Sequence, residues 1–244
     1  MIGLPGEITA CLFDLDGVLT STAALHKQAW KQTFDSFLRE RDGSGFRGFS
    51  DRDYAEYVDG RPRLDGVRNF LTSRTISLPE GSPEDPVTDH TVHGLANKKN
   101  ELVLNIIEQQ GVDPYPGSVR YLKAARDARL RIAVVTSSAN ATSVLKAAKL
   151  DEFVEALIDG LVIVREKLRG KPAPDSFLAG AKALGTAPEN AAVFEDALAG
   201  VAAGKAGGFG YVVGVDRENQ ADELRADGAD VVVRDLAELL GDRR

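Results

Sequence analysis

Two carboxylates two residues apart, Asp14 and Asp16, close an apolar run from Ile8 to Phe13 and are followed by Gly17. Such a run reads as a buried strand of a parallel sheet, with Asp14 as its last residue. Ligands of open α/β sheets gather outside the carboxyl ends of the strands, where these acids would emerge. Two acids so placed repel each other unless a cation stands between them. A hard divalent cation with oxygen ligands, Mg2+ first, answers that need. Taken alone, the pair has a plainer reading, because Asp and Gly are ordinary turn residues after a strand.

Three further clusters change the balance: Thr136-Ser137-Ser138, Lys171 within Gly170-Lys171-Pro172-Ala173-Pro174-Asp175, and Glu195-Asp196. Each has a bland counterpart. Ser and Thr cap helices, Gly-Lys-Pro can be a loop, and Glu-Asp suits a helix start. Together they supply what phosphoryl transfer needs. Asp14 offers a carboxylate nucleophile and Asp16 a second acid to handle protons. Glu195 and Asp196 offer ligands for a cation. Thr136 and Ser137 offer a hydroxyl and helix-start N–H groups for phosphate oxygens. Lys171 can neutralise nucleophile and phosphate together. Catalysis of this kind is mostly positioning and charge stabilisation, and a covalent aspartyl-phosphate splits one hard step into two. Competing nucleotide motifs are absent: Gly170-Lys171 is followed by Pro172, and Gly208-Phe209-Gly210 precedes a strand pattern instead of following one.

The elements that must position these groups fall into two rhythms. From about residue 23 to 110 the pattern is all-helical. Leu25, Ala29, Trp30, Phe34, Phe37 and Leu38 mark a helix over Thr22 to Glu40, and Leu95, Leu102, Val103, Ile106 and Ile107 mark another over Leu95 to Gln110. Ser50 is a candidate N-cap for a short piece reaching Val58. Arg61 and Arg63 flank Pro62 ahead of a third helix, as an anion clamp or as a solvated helix start. Residues 78–89 read as loop. His90 and His93 have metal-ligand spacing but no evident third ligand. Beyond Gly111 to Gly117 strand and helix alternate, with strands over 131–136, 156–159, 191–194, 211–215 and 230–233 and helices over 118–128, 139–149, 173–184, 197–206, 218–226 and 236–240. That alternation means a parallel sheet covered on both faces.

The expected fold is therefore α/β: a Rossmann-like parallel sheet core, residues 1–22 and 111–244, with an inserted all-helical cap domain, residues 23–110. Two chain crossings close together form a hinge, and a hinged cap over an acidic site is a lid.

The chain has 244 residues, 43% hydrophobic, with a formal net charge of −7. That charge argues against a nucleic-acid binder and requires any positive charge at the site to be local. No apolar run approaches the ~20 residues of a membrane span, and no signal peptide is evident. The single cysteine, Cys11, excludes an intrachain disulfide and fits core packing in a reducing cytoplasm. A cytoplasmic monomer with no nucleic-acid or membrane partner is expected, and an anionic small substrate remains compatible with this charge.

With these motifs in order, the chain resembles the haloacid dehalogenase superfamily over essentially its full length. Its four signatures read here as Asp14-Leu15-Asp16-Gly17-Val18, Thr136, Lys171-Pro172 and Glu195-Asp196. The helical insert resembles the subclass with a cap in that position. Within it, the chain is similar to the β-phosphoglucomutase family. That resemblance implies Asp14 as nucleophile, Asp16 as general acid and base, and Mg2+ held by Asp14, Asp196, the Asp16 carbonyl and Glu195. It implies a hinge residue at Thr22, His26 and Lys99 coupling substrate binding to closure, an aromatic at Trp30 and a far-phosphate arginine at Arg63. Ser138 and Asn140 would help hold that phosphate. Ala139 stands where some members carry lysine, and Gly66 where a cap serine can occur, so Arg61 is a possible substitute.

The implied activity is interconversion of β-D-glucose 1-phosphate and glucose 6-phosphate through glucose 1,6-bisphosphate, which also acts as activator. The alternative on the same scaffold is a Mg2+-dependent sugar-phosphate phosphatase. A signalling receiver domain, which also forms an aspartyl-phosphate, has neither the cap nor the second acid two residues on.

Overall fold

The computed structural model describes residues 2–241. Its strands β1 (Ala10–Phe13), β2 (Arg131–Val135), β3 (Ala156–Ile158), β4 (Ala191–Glu195), β5 (Tyr211–Val215) and β6 (Val231–Val233) form one sheet. The order is β3-β2-β1-β4-β5-β6 and every pairing is parallel. Every residue of β1 and β4 is buried, as continuous apolar strands of a two-sided sheet require. Alternate side chains go to opposite faces. Ala10 and Leu12 join Val135, Phe177, Val193 and Val201 on one side. On the other, the Phe13 ring stacks on Phe194 at 4.3 Å and meets Tyr121 edge-on at 6.2 Å. Cys11 is fully buried, and burial pushes its thiol well above the ordinary range, which suits packing and not chemistry.

The chain divides into two compact units. One ends at Ser21 and resumes at Val112; the other is Thr22–Gly111. The two crossing segments pair with each other inside the sheet-bearing unit: Thr20 bridges Pro114, Ser21 N donates to Asp113 O at 3.0 Å, and Tyr115 N donates to Leu19 O at 3.0 Å.

The unit Thr22–Gly111 is helical. Its long helices are Thr22–Asp42, Arg63–Ser73 and Val92–Gln110, and the single turn Asp51–Asp53 runs into a π-helical turn at Tyr54–Val58. Its core is aromatic, with Phe34 lying 4.0 Å from Phe70 and 5.2 Å from Trp30 between ring centroids. Ser50 caps as expected, in a reciprocal box with Asp53. The last helix starts at Val92, earlier than periodicity suggested, because Thr91 caps it by accepting from Gly94 N. Residues 78–89 are a built loop: Thr91 Oγ1 donates to Asp85 at 2.6 Å, Asn97 Nδ2 donates to Pro83 O and Asp85 O, and Arg68 pairs with Glu80. His90 lies outside the helix, 3.2 Å from Glu40 and edge-on to Phe37.

Two outcomes in the sheet-bearing unit differ from expectation. Gly160–Arg165 is a helix, capped by the Asp159 carboxylate on Leu161 N and Val162 N; its unbroken Leu-Val-Ile-Val hid the helical period. The helix expected over 139–149 is confined to Ala141–Ala147, and that expected over 218–226 to Ala221–Ala226. In both places side chains ahead of the helix engage local backbone, which delays it.

Asp53 is the polar keystone of the helical unit. Its carboxylate accepts from Ser50 N at 2.9 Å and from Arg74 Nη2 at 2.7 Å, and Arg74 also donates to Arg47 O and Gly48 O. Burial alone would raise the Asp53 carboxyl; the Ser50 hydroxyl and amide and the Arg74 guanidinium outweigh it and hold it below its ordinary value. The two side chains are only 11% and 7% exposed, so removing one leaves a buried charge. Arg74→Ala is expected to destabilise this unit by about 2–4 kcal/mol. Trp30, the single tryptophan, reports on it in urea titrations. A depressed carboxyl stabilises fully above its unfolded pKa and loses that contribution as pH falls through the folded value. The gap between wild type and variant therefore stays constant from neutrality to about pH 5 and narrows below about pH 4.

Candidate active site

The sheet order places β1 between β2 and β4. The residues that follow these three strands are thereby neighbours at one end of the sheet. Regular pairing in β1 stops at Phe13, one residue earlier than expected, but Asp14 N still donates to Phe194 O at 2.9 Å. Asp14 is thus fixed beside Glu195, the last residue of β4.

Lys171 ties the cluster together. Its Nζ donates to Asp14 Oδ1 at 2.6 Å, Glu195 Oε1 at 2.5 Å and Val135 O at 3.3 Å, and the side chain is 1% exposed. Burial alone would depress this ammonium, but the Asp14 and Glu195 carboxylates outweigh it and hold its pKa above that of ordinary lysine. Burial pushes the Asp14 carboxyl well up; Lys171 pulls it partly back, while Glu195 and Asp16 push it further up. The remaining contacts orient the acids. Asp14 Oδ2 accepts from Asp16 N at 3.0 Å, Glu195 Oε2 accepts from Ala197 N at 2.9 Å, and Thr136 Oγ1 donates to Asp16 Oδ2 at 3.4 Å.

Gly17 is forced by geometry. Its φ is +93°, and a Cβ built there would lie 1.8 Å from Asp196 Oδ2. Only glycine tolerates both conditions.

Carboxylate oxygens of Asp14, Glu195 and Asp196 all lie within 4.8 Å of one another. Ligands of an octahedral Mg2+ at ~2.1 Å stand at most ~4.2 Å apart, and the ion takes oxygen only. Three buried carboxylates converge here, and Lys171 pairs with two of them, Asp14 and Glu195, so the donor set fits a divalent cation in chemistry and charge. The residues that would hold it are Asp14, Asp196 and Glu195, with the Asp16 carbonyl beside them in sequence.

The phosphate-facing loop departs from expectation. Thr136 N donates to Ile158 O at 2.9 Å and so continues the sheet instead of serving an anion. The next helix begins only at Ala141, and Asn140, its N-cap residue, makes no side-chain cap bond. Residues 136–140 fold on themselves, with Ser138 N on Thr136 Oγ1 at 3.1 Å and Asn140 N on Ser138 Oγ at 3.3 Å. The Ser138 and Asn140 amides are thus taken up within the loop and are not the expected helix-start donors.

Thr22, His26, Trp30, Arg63 and Lys99 all belong to the helical unit. Lys99 Nζ donates to His26 Nδ1 at 2.9 Å and lies 5.0 Å from the Trp30 ring centroid, with only 4% of the residue exposed. Thr22 is buried at the first turn of its helix. The Nε atoms of Arg61 and Arg63 are buried without hydrogen-bond partners, and burial lowers the Arg63 guanidinium. At Gly66, where a cap serine can occur in the family it resembles, a Cβ would lie 3.3 Å from Trp30 Cζ2 and from Val58, so a side chain there requires these neighbours to give way by a few tenths of an ångström.

Two residues gave no signal in the sequence. Arg217 Nε donates to Gly17 O at 2.7 Å, and Gln220 Nε2 donates to Asp196 O at 3.0 Å. Both act on backbone carbonyls, which no side-chain pattern encodes.

Residues 8–208 match the family described as haloacid dehalogenase-like hydrolase. A β-phosphoglucomutase of Mycobacterium tuberculosis is 53% identical over 247 residues, covering 98% of this chain and 94% of that protein. A β-phosphoglucomutase of Bacillus subtilis is 32% identical over 231 residues, covering 94% and 91%. The crystal structure of a β-phosphoglucomutase from Clostridium difficile superposes with a TM-score of 0.75 at 25% identity, covering 95% of this chain and 93% of that one. The match over most of the chain and the agreement of fold make the conclusion plain: this chain is an enzyme of the haloacid dehalogenase-like hydrolase family.

Proposed function

We propose that the protein is a β-phosphoglucomutase that interconverts β-D-glucose 1-phosphate and glucose 6-phosphate through glucose 1,6-bisphosphate. The observation that carries this reading is the 53% identity, over nearly the full length of both chains, to a β-phosphoglucomutase. The sheet-bearing unit would carry the chemistry and the helical unit would select the substrate.

In the proposed reaction Asp14 attacks the phosphorus of a sugar bisphosphate. A new O–P bond forms at the Asp14 carboxylate and the sugar O–P bond breaks. Asp16, protonated, gives its proton to the departing sugar oxygen. In the second half a hydroxyl of the sugar monophosphate attacks the phosphorus of phospho-Asp14; a sugar O–P bond forms, the Asp14 O–P bond breaks to regenerate the carboxylate, and Asp16, now ionised, takes the hydroxyl proton. Lys171 keeps Asp14 oriented and offsets charge as the phosphoryl group arrives. Thr136 holds Asp16 by its hydroxyl. Mg2+, bound by Asp14, Asp196, Glu195 and the Asp16 carbonyl, would neutralise phosphate oxygens.

The buried, unpartnered Nε atoms of Arg61 and Arg63 support a second-phosphate role for these guanidinium groups. Lys99, His26 and Trp30 supply a fixed cation beside an aromatic face for the sugar. Anchoring the far phosphate would set a sugar hydroxyl, and not water, against phospho-Asp14.

Four outcomes test this. With Mg2+, β-glucose 1-phosphate and a trace of glucose 1,6-bisphosphate, glucose 6-phosphate should accumulate with little free phosphate; free phosphate without isomer would mean a phosphatase. Arg63→Ala should lower mutase turnover by about 10²-fold or more while Asp14 still becomes phosphorylated; equal loss of both would remove Arg63 from that role. Gly17→Ala should cost at least about 10² in kcat, since the turn must move away from Asp196. Chelation should abolish turnover and lower the thermal midpoint, both restored by Mg2+, because the ion binds a folded set of carboxylates.

A further inference from the structure

The loop after β5 grips the acidic site from behind, at two backbone carbonyls. Arg217 Nε donates to Gly17 O at 2.7 Å, and its Nη1 donates to Arg234 O at 2.8 Å. The guanidinium carbon lies 3.7 Å from the Tyr115 ring centroid. Tyr115 in turn donates its N–H to Leu19 O at 3.0 Å. Gln220 is buried; its N–H donates to Asp216 Oδ1 at 2.9 Å and its side chain to Asp196 O at 3.0 Å. One short loop therefore holds the residue after Asp16 and also Asp196 itself. Between those two grips Gly17 faces Asp196 so closely that a Cβ would lie 1.8 Å from its Oδ2.

The type of residue matters. A guanidinium is planar, always charged, and presents its donors in a fixed fork. Stacked on Tyr115 and tied to Arg234 O, it has little freedom left, so its Nε–H defines where Gly17 O must sit. Gly17 is in the left-handed region at φ +93°, where glycine is free to move to other conformations. Thr136 Oγ1 on Asp16 Oδ2 at 3.4 Å and Ser118 Oγ on Val18 O at 2.7 Å anchor the residues either side; Arg217 holds the Gly17 carbonyl itself.

We propose that Arg217 is a positioning residue: it locks the Asp16–Gly17 turn in the conformation that presents Asp16 to the reacting oxygen and its carbonyl to the cation. The inference rests on the phosphoryl-transfer reading above. Arg217 touches neither substrate nor nucleophile in this account. It acts through Gly17, in the manner of the outer groups that orient metal ligands.

The test compares wild type, Arg217→Met and Arg217→Lys by steady-state kinetics on β-glucose 1-phosphate and by calorimetric titration with Mg2+ alone. Met keeps the apolar stem and removes the donors. It should lower kcat by about 10- to 100-fold and weaken Mg2+ binding by about 10-fold, the scale for losing a group that orients ligands. KM for the sugar phosphate should stay within about twofold, because substrate recognition is untouched. Lys, which restores one donor, should recover the larger part of both losses, and circular dichroism should show both variants folded. An Arg217→Met enzyme with wild-type kcat and Mg2+ affinity overturns the proposal. So does a Lys variant as impaired as Met with KM rising in step, which would mean general loosening. A wild type that neither binds Mg2+ nor turns over overturns the functional reading and this inference with it.

Discussion

Everything at the active end of the sheet depends on one ammonium group. Lys171 Nζ stands between Asp14 and Glu195 at 2.6 and 2.5 Å, almost wholly out of water. A lone charge there would be very costly, and so would two carboxylates without it. The three groups are therefore conditions for one another. The topology makes the arrangement reachable. β1 is central, so its end lies beside the ends of both β2 and β4, the place where open parallel sheets collect ligands. Val135 O, the last carbonyl of β2, completes the shell of Lys171 at 3.3 Å. The ends of three neighbouring strands thus each bring an acceptor to one side chain, and the sheet register becomes the register of the site.

The balance of charge then constrains the order of events. Asp14, Glu195 and Asp196 gather beside Lys171, and burial makes so many carboxylates costly, which is why the Asp14 carboxyl is raised. A phosphate is itself an anion. It has no reason to settle against a surplus of buried carboxylates while that surplus stands. A divalent cation of the kind the oxygen set fits reverses the sign locally. In the proposed reaction cation binding would in this sense be part of substrate recognition, with Asp14 available as nucleophile only in its company.

How much of this was legible in the sequence follows from where each signal resides. Asp14, Asp16, Glu195 and Asp196 could be read because each ends or follows a fully apolar run, and a strand end is visible as an abrupt change in polarity. Lys171 was readable by composition and order, though its partners were not. The alternation of strands and helices gave the sheet, and the helical insert stood out because period-2 runs vanish from 23 to 110. What could not be read depends on three-dimensional competition for hydrogen bonds. Thr136 N looks like a helix-start donor until Ile158 O is seen to take it. The helix at Gly160–Arg165 is signalled only by the Asp159 cap, because its apolar residues have no polar face to set a period. The π-helical turn at Tyr54–Val58 leaves no mark in residue type at all.

Arg217 and Gln220 show the sharpest form of that limit. Both lie some 200 and 24 residues, respectively, from the backbone they hold, and both donate to carbonyl oxygens, which every residue possesses. Side-chain patterns record acids, bases and apolar faces; they do not record which carbonyl a distant arginine will meet. Yet these contacts decide the conformation of a turn whose glycine is otherwise free. The chemistry-bearing residues are thus the readable part of the site, while the precision with which they meet is set by residues whose role appears only when the chain is folded.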